Sequence, residues 1–156
     1  MTITIITATY NSAATIADTL QSVLEQTYQD FEVIVVDGVS SDKTLEIVRS
    51  FKPAFQGKLR IVSEPDQGLY DAMNKGLLMA TGQVVGILNS DDFFSTPHSL
   101  EYIAQAFENP SVDACYGNLY FVQPHALKVP VRHYTAGHFR RWMMRLGYAS
   151  PHPTFY

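Results

Sequence analysis

Short apolar segments alternate with segments of helical periodicity along the first 110 residues of the chain. The apolar segments, rich in Ile, Val and Leu, cover residues 2–8, 31–36, 59–63 and 84–88. The helical segments, in which apolar residues recur every three or four positions, cover residues 13–24, 45–51, 73–80 and 100–107. Near-continuous apolar strands are typical of a parallel sheet covered on both faces. The alternation therefore predicts an α/β domain with a mostly parallel central sheet flanked by helices on both faces.

The pattern changes from Asp113 onwards. Residues 114–122 and 128–134 read as two strands separated by a turn. A short amphipathic helix is predicted next. Its apolar stripe consists of Phe139, Trp142, Met143 and Leu146, and the basic residues beside the stripe are Arg140, Arg141 and Arg145. The sequence stops on apolar and aromatic residues at 150–156, and we therefore expect it to be part of a longer chain.

Composition excludes several classes of protein. With 46% hydrophobic and 17% charged residues, the 156-residue chain can build one ordinary core, unlike a disordered or collagen-like chain. A single Cys excludes a disulfide framework and a cysteine-based zinc site within one chain. No apolar run reaches the roughly 18 residues that span a bilayer, and the amino terminus does not resemble a signal peptide. We therefore expect a cytoplasmic protein.

Charge is distributed unevenly along the chain. All 15 Asp and Glu residues and 6 of the 11 Lys and Arg residues lie within residues 1–113, which gives that part a net charge of −9. The remaining five basic residues give residues 114–156 a net charge of +5. This asymmetry indicates either chance variation in a short segment or an anionic partner near the carboxyl-terminal part.

Polar residues follow each of the four predicted strands. The segments are TATYN at 7–11, DGVSSD at 37–42, EPDQG at 64–68 and NSDD at 89–92. Ligands of open parallel sheets bind beyond the carboxyl ends of the strands. We therefore expect the acidic residues to converge on one edge of the sheet and to form a ligand site there.

Asp91 and Asp92 are the most informative of these residues. Two adjacent carboxylates at a strand end repel each other, which raises their pKa values unless a cation lies between them. Carboxylates with open positions suit Mg²⁺ or Mn²⁺ bound to phosphate oxygens. The alternative is a turn-capping Asp beside a solvated one. The strand-end position, with Asp37 expected on a neighbouring strand, favours the metal site.

The loop after the first strand lacks glycine, so it is neither a GxGxxG turn nor a P-loop. Thr7, Thr9 and Tyr10 instead offer hydroxyls and an aromatic face, which suit a nucleobase or a ribose. Tyr10 packed on the sheet edge is the alternative. We expect Asn11 to cap the following helix.

Three further polar residues have both a ligand-binding and a structural interpretation. Asp37 can accept a hydrogen bond from a base or ribose, or form a simple turn with Gly38. Asp71 and Lys75 lie four residues apart on a helix, where they form either an exposed ion pair or a site at which Lys75 reaches a phosphate.

Together these four segments resemble the family 2 glycosyltransferases of the GT-A fold, and most of all bacterial members that build capsular, colanic-acid-type or lipopolysaccharide glycans. The resemblance rests on residues 7–11, 36–44, 64–76 and 88–92. It implies inverting transfer of a sugar from a nucleotide-sugar donor, expected to be UDP-linked, to a glycan or lipid-linked acceptor, with Mg²⁺ or Mn²⁺. On this basis residues 1–112 form a nucleotide-binding α/β core, and residues 113–156 begin an acceptor-side region that we expect to be incomplete.

The resemblance also assigns site residues. The donor nucleotide would be bound by Thr7, Thr9, Tyr10, Asp37, Asp71, Lys75 and Asp91. Asp91 and Asp92 would form the DXD-type metal site, with Asp92 as the main ligand. Two departures stand out: Gly38 occupies a position where the family often has a second acid, and no Asp or Glu follows Asp113. The general base of the family lies downstream of the metal site, so we expect it beyond Tyr156.

Two other functions and one further partner remain open. A nucleotidylyltransferase usually has a glycine-rich, basic first loop, which residues 7–11 are not. A non-catalytic or degenerate nucleotide-sugar-binding domain is the second alternative. We expect no nucleic-acid partner. The basic amphipathic segment at 139–146 predicts either a peripheral contact with the inner face of a membrane or simple packing on the sheet.

Overall fold

A computed structural model of the chain describes residues 1–137, 140–147 and 152–156. Its first four strands are β1 (Ile3–Thr9), β2 (Phe31–Asp37), β3 (Leu59–Ser63) and β4 (Val84–Ile87). Each is followed by a helix, and these are α1 (Ile16–Leu24), α2 (Thr44–Phe51), α3 (Leu69–Met79) and α4 (Ser99–Ala106). The predicted alternation is confirmed, with the ends of the elements shifted by at most four residues.

The four strands form one parallel sheet in the order β3-β2-β1-β4. Ile3 of β1 lies opposite Phe31 on one side and Val84 on the other. The expectation that Asp37 lies on a strand next to the Asp91–Asp92 strand is therefore wrong, because β1 pairs with both β2 and β4 and separates them. The chain reverses its direction of strand addition between β1 and β4, and open α/β sheets bind ligands in a crevice at such a point of the carboxyl edge.

Helices cover both faces of the sheet, as the apolar strands predicted. On one face, Ile5 of β1 shares a core with residues of three helices, which are Leu20 of α1, Val48 of α2 and Leu100 of α4. On the other face, Ala8 and Val36 pack against Ala72 and Met73 of α3. Because β1 contributes alternate side chains to both cores, the loop that follows it is anchored from both sides.

Helix α3 approaches β1 very closely at Gly76. A Cβ atom at that position would lie within 3.3 Å of both Cγ1 and Cδ1 of Ile6, and closer still to Cγ2. Leu77 and Leu78 are exposed on the helix. The periodicity of the segment 73–80 predicts that its apolar residue Leu77 faces the core. Leu77 does not do so, because Gly76 and Met73 form the contact face instead.

The carboxyl-terminal part contains an antiparallel hairpin of β5 (Leu119–Gln123) and β6 (Ala126–Tyr134). The first strand begins later than predicted. Residues 114–118 instead meet the end of the chain: Cys115 and Tyr156 exchange two backbone hydrogen bonds of 2.9 Å, and Tyr116 bridges to Phe155.

The predicted amphipathic helix is a 3₁₀ helix, Arg141–Leu146, and a second 3₁₀ turn covers His152–Thr154. Trp142 and Leu146 are 61% and 66% exposed, so these two residues of the stripe do not pack on the sheet. Phe139 of the same stripe lies outside the described residues. Among the helices that the structure describes, we find none with the length and hydropathy to cross a bilayer.

Candidate functional site

The crevice between β1 and β4 is bordered by loops that hydrogen bonds hold together. The Oγ atoms of Ser12, after β1, and Ser90, after β4, lie 2.8 Å apart. The backbone N–H of Ser12 donates to Oγ1 of Thr44 at 2.7 Å, which links the same loop to the start of α2. The loops that border the crevice are therefore tied to one another through the segment that follows β1.

Asn11 does not cap α1, contrary to expectation. It adopts a left-handed conformation with φ of 49°, and its Oδ1 accepts a 2.9 Å hydrogen bond from the N–H of Ser41. The helix begins at Ile16, five residues after Asn11, and its cap residue Thr15 makes no side-chain capping hydrogen bond. Asn tolerates left-handed φ better than most residues do, and here it connects the first loop to the second.

Asp42 also connects these two loops. Its carboxylate accepts hydrogen bonds from the hydroxyl and N–H of Thr44, at 2.5 and 2.9 Å, and from the N–H of Ala13 at 3.1 Å. These donors, the Thr44 hydroxyl foremost, hold the pKa of Asp42 below its usual value. The sequence pattern gave Asp42 no role, although an Asp two residues before a helix-starting Thr is a typical turn signal.

Asp37 is completely buried at the end of β2. Its carboxylate accepts hydrogen bonds from the N–H of Ser40 at 3.0 Å, from the Ser40 hydroxyl, and from the Ser63 hydroxyl at 2.7 Å. Burial of a carboxylate requires such donors because the charge is otherwise poorly solvated. Asp37 thus joins the ends of β2 and β3, and its contact with a nucleotide stays a prediction.

Tyr10, Gly38 and Asp66 meet at one corner of the site. Tyr10 is 63% exposed. A Cβ atom at Gly38 would lie 2.5 Å from Oδ2 of Asp66 and 3.5 Å from Cδ2 of Tyr10. The other carboxylate oxygen of Asp66 accepts a 2.9 Å hydrogen bond from the N–H of Gly68. The sequence pattern did not single out Asp66, although this residue lies in the polar segment 64–68 that follows the third predicted strand.

Asp91 and Asp92 occupy the turn after β4. The N–H of Asp92 donates to the carbonyl oxygen of Asn89 at 3.0 Å, and the Asn89 amide donates to Oδ2 of Asp92 at 3.2 Å. Asp91 is exposed and Asp92 half-buried. Oδ1 of Asn89 is buried and has no hydrogen-bond partner within the described part of the chain, which leaves an additional hard oxygen atom near the two carboxylates.

The oxygen atoms of Asp91, Asp92 and Asn89 are of the kind that Mg²⁺ and Mn²⁺ prefer as ligands. Among the residues that the structure describes, no three His, Cys, Asp or Glu side chains converge as a complete set of metal ligands. Mg²⁺ is commonly bound by only one or two carboxylates, with substrate phosphates and water completing its coordination. Asp91 and Asp92 therefore suit a metal ion that arrives with a phosphate-containing ligand.

Two threonines of β1 have unsatisfied hydroxyls. Thr7 and Thr9 are buried, and Oγ1 of each has no hydrogen-bond partner among the described residues. Buried polar atoms without partners are uncommon and call for an explanation. Both lie on the strand beside the crevice, where the sequence predicted contacts with a base or ribose.

Lys75 of α3 contacts residues of its own helix and of the loop that precedes it. Its Nζ lies 3.1 Å from Glu64 and 3.3 Å from Asp71, and it donates to the carbonyl oxygen of Pro65 at 2.7 Å. Glu64 foremost, and then Asp71, raise the pKa of Lys75. The N–H of Gln67 and this ion pair lower the pKa of Asp71. The expected ion pair is present, and the phosphate contact of Lys75 stays a prediction.

Tyr156 brings the end of the chain to β4. Its ring packs against Gly86, where any Cβ atom would overlap it. Its phenol oxygen is buried and has no hydrogen-bond partner among the described residues. Burial, followed by the nearby Cys115 and Asp92, raises the pKa of Tyr156. Tyr156 therefore lies near the predicted metal site, which no local sequence pattern indicated.

Several known proteins resemble this chain in sequence, and some solved structures also resemble it in fold. Residues 4–153 match the protein family described as Glycosyl transferase family 2. The PGL/p-HBAD biosynthesis glycosyltransferase of Mycobacterium bovis (strain BCG / Pasteur 1173P2) is 40% identical over 116 residues, which are 74% of this chain and 45% of that protein. The glycosyltransferase AglE of Haloferax volcanii is 33% identical over 126 residues, which are 78% of this chain and 40% of that protein.

Solved structures give the same result. The mannosyltransferase PcManGT from Pyrobaculum calidifontis, in complex with GDP-Man and Mn²⁺, superposes with a TM-score of 0.69 at 32% identity, over 74% of this chain and 34% of that one. S. aureus TarS 1-349 in complex with UDP-GlcNAc gives a TM-score of 0.67 at 30% identity, over 73% and 33%. This chain thus spans less than half the length of each of these relatives. The expected GT-A-like α/β fold is confirmed, and the chain belongs to glycosyl transferase family 2.

Proposed function

We propose that this chain forms the donor-binding part of an inverting glycosyltransferase of bacterial cell-surface polysaccharide synthesis. It would move a sugar from a UDP-linked donor to a glycan or lipid-linked acceptor. The observation that supports this most directly is the pair Asp91 and Asp92 after β4. The neighbouring strand β1 carries the buried hydroxyls of Thr7 and Thr9, which have no hydrogen-bond partner among the residues that the structure describes. The nucleotide sugars bound by PcManGT and TarS support a donor of this chemical class.

The side chains at the carboxyl edge of the sheet have distinct tasks in donor binding. Tyr10 stacks on the base, and Thr7, Thr9 and Asp37 surround the base and ribose. Asp92, with Asp91, would hold Mg²⁺ or Mn²⁺, and the metal would supply positive charge to balance a leaving diphosphate.

Asp71 and Lys75 border the same edge of the sheet. An ammonium group has three donors, and Lys75 already contacts Glu64, Asp71 and the carbonyl oxygen of Pro65. A phosphate that binds Lys75 must therefore replace one of these contacts. Residues 114–156 contain no Asp or Glu, so we assign no general base to this part of the chain.

Contact with a membrane is part of the proposal. Trp142 and Leu146 are exposed, and Arg140 and Arg145 lie in the same exposed segment. A cytoplasmic enzyme that uses a lipid-linked acceptor would work at the inner face of the membrane, where anionic lipids attract basic residues.

Calorimetric titration tests the donor site. UDP, GDP and dTDP are titrated into the protein with and without Mn²⁺, and we expect UDP to bind tightly only with the metal. Asp92→Ala should weaken this binding by about 1–3 kcal/mol, since it removes a charged partner. Asp113→Ala removes an exposed carboxylate beyond the end of α4 and should leave the affinity unchanged. If the wild-type protein binds UDP equally tightly with and without Mn²⁺, the metal site is contradicted.

A further inference from the structure

Asp37, at the end of β2, and Asp66, in the loop after β3, differ in how many further hydrogen bonds their carboxylates can accept. An ionised carboxylate offers about four lone-pair sites. Asp37 is fully buried and already accepts three hydrogen bonds from Ser40 and Ser63. It holds the two loops together, which leaves it about one acceptor site for a ligand.

Asp66 is placed differently. It is only half-buried, and Oδ1 is occupied by the N–H of Gly68. Oδ2 lies over the backbone of Gly38, next to the exposed ring of Tyr10. A carboxylate oxygen thus sits at the edge of the aromatic surface on which a base would stack.

We propose that Asp66 selects the nucleobase of the donor, by accepting a hydrogen bond from a ring N–H of a base that stacks on Tyr10. This inference rests on the proposed function and adds a specificity-determining residue to it. The bases that satisfy it have an N–H on the ring edge, as uracil and thymine have at N3 and guanine has at N1. A base without that donor would bury the carboxylate without a partner, which is costly.

Gly38 is the feature that permits this arrangement. A methyl group there would lie 2.5 Å from Oδ2 of Asp66, too close for the carboxylate to remain. The φ angle of Gly38 is not left-handed, so alanine fits the backbone. Since Oδ2 is the end of a flexible side chain, Gly38→Ala should move the carboxylate and leave the fold intact.

The test uses three ligands in the presence of Mn²⁺: UDP, N3-methyl-UDP and ribose 5-diphosphate, which has no base. The wild-type protein should bind UDP at least about tenfold more tightly than N3-methyl-UDP, as expected for a hydrogen bond to a charged group. Asp66→Ala and Gly38→Ala should each lose most of this preference. Neither variant should change the affinity for ribose 5-diphosphate, and Asp113→Ala should behave like the wild type with all three ligands.

The outcomes separate this inference from the proposed function. If the wild-type protein binds no nucleoside diphosphate with Mn²⁺, the donor site itself is wrong, and the role of Asp66 falls with it. If the wild type binds UDP and Asp66→Ala binds it equally well, only the role of Asp66 is wrong. An equal loss of affinity for UDP and ribose 5-diphosphate would also overturn it, because Asp66 would then merely support its loop through Gly68. Should GDP bind best, GDP and N1-methyl-GDP replace the uridine pair in the same comparison.

Discussion

Replacement of Gly76 by alanine should separate α3 from the sheet at the point where they touch. The new methyl group would overlap Cγ2 of Ile6 and lie within 3.3 Å of its Cγ1 and Cδ1. Ile6 is completely buried on β1. Because this side chain is β-branched and fully enclosed, rotation about its first side-chain torsion would drive a γ carbon into the surrounding core. The strain must therefore be relieved by movement of the helix itself.

The expected size follows from two opposing contributions. Alanine is favoured over glycine inside a helix by about 1 kcal/mol. Overpacking of a well-filled core costs about 1–3 kcal/mol, and an overlap with three atoms of one side chain places Gly76 at the upper end. We therefore expect a net loss of about 2 kcal/mol, or a fall in melting temperature of about 4–8 °C for a domain of this size.

Urea unfolding followed by circular dichroism measures this loss. Asn74→Ala, at an exposed position of α3, supplies the matched control, because it adds helix propensity without a clash and should be neutral or slightly stabilising. In an Ile6→Ala background, Gly76→Ala should become favourable, since the overlapping atoms are gone. A Gly76→Ala protein as stable as the wild type would refute the close contact between α3 and β1.

Two further predictions concern acid stability and membranes. Burial raises the pKa of Glu32, but hydrogen bonds from Thr4 and Thr81 outweigh this effect and leave the pKa below 4.5. Ionised Glu32 therefore stabilises the fold above pH 4.5, and this stabilisation is lost as the pH falls through the folded-state pKa. Glu32→Gln should cost about 1 kcal/mol at pH 7 and progressively less below pH 4.5 in urea titrations, whereas exposed Glu46→Gln should show no such trend. Anionic vesicles at low salt should retain the protein and shift the fluorescence of Trp142, the single Trp, and high salt or neutral lipid should abolish both effects. Failure of anionic vesicles to retain the protein at low salt would exclude the membrane contact.

Most of the fold could be predicted because local pattern determines it. Apolar runs of four to eight residues became strands, and three-to-four periodicity became helices. The strand at 114–122 was predicted too long because Cys115 and Tyr116 pair with residues about 40 positions away, and no local pattern contains that partner. The order of the strands could not be predicted from the sequence either, because the pairing of β1 with both β2 and β4 depends on how the crossover helices pack.

The position of the site could be predicted better than the state of its residues. Polar groups after parallel strands converge on one edge whatever their detailed geometry. Whether a carboxylate there is buried or available depends on the path of each loop. Asp37 and Asp66 look equivalent in sequence, yet Ser40 and Ser63 enclose the first, while Gly38 leaves room for the second.

The hydrogen bonds between loops have a consequence for protein engineering. Asn11 binds Ser41, Ser12 lies against Ser90, and the N–H of Ala13 binds the Asp42 side chain. Replacing any one of these loops with that of a relative that uses another nucleotide sugar would leave its former partners without hydrogen bonds. Each such group that stays buried would lower the free energy of unfolding by about 1–3 kcal/mol. Chimeras in which the three loops are exchanged as a set should therefore fold where single-loop grafts fail, and substitutions at positions 12 and 90 should be tolerated best as matched pairs.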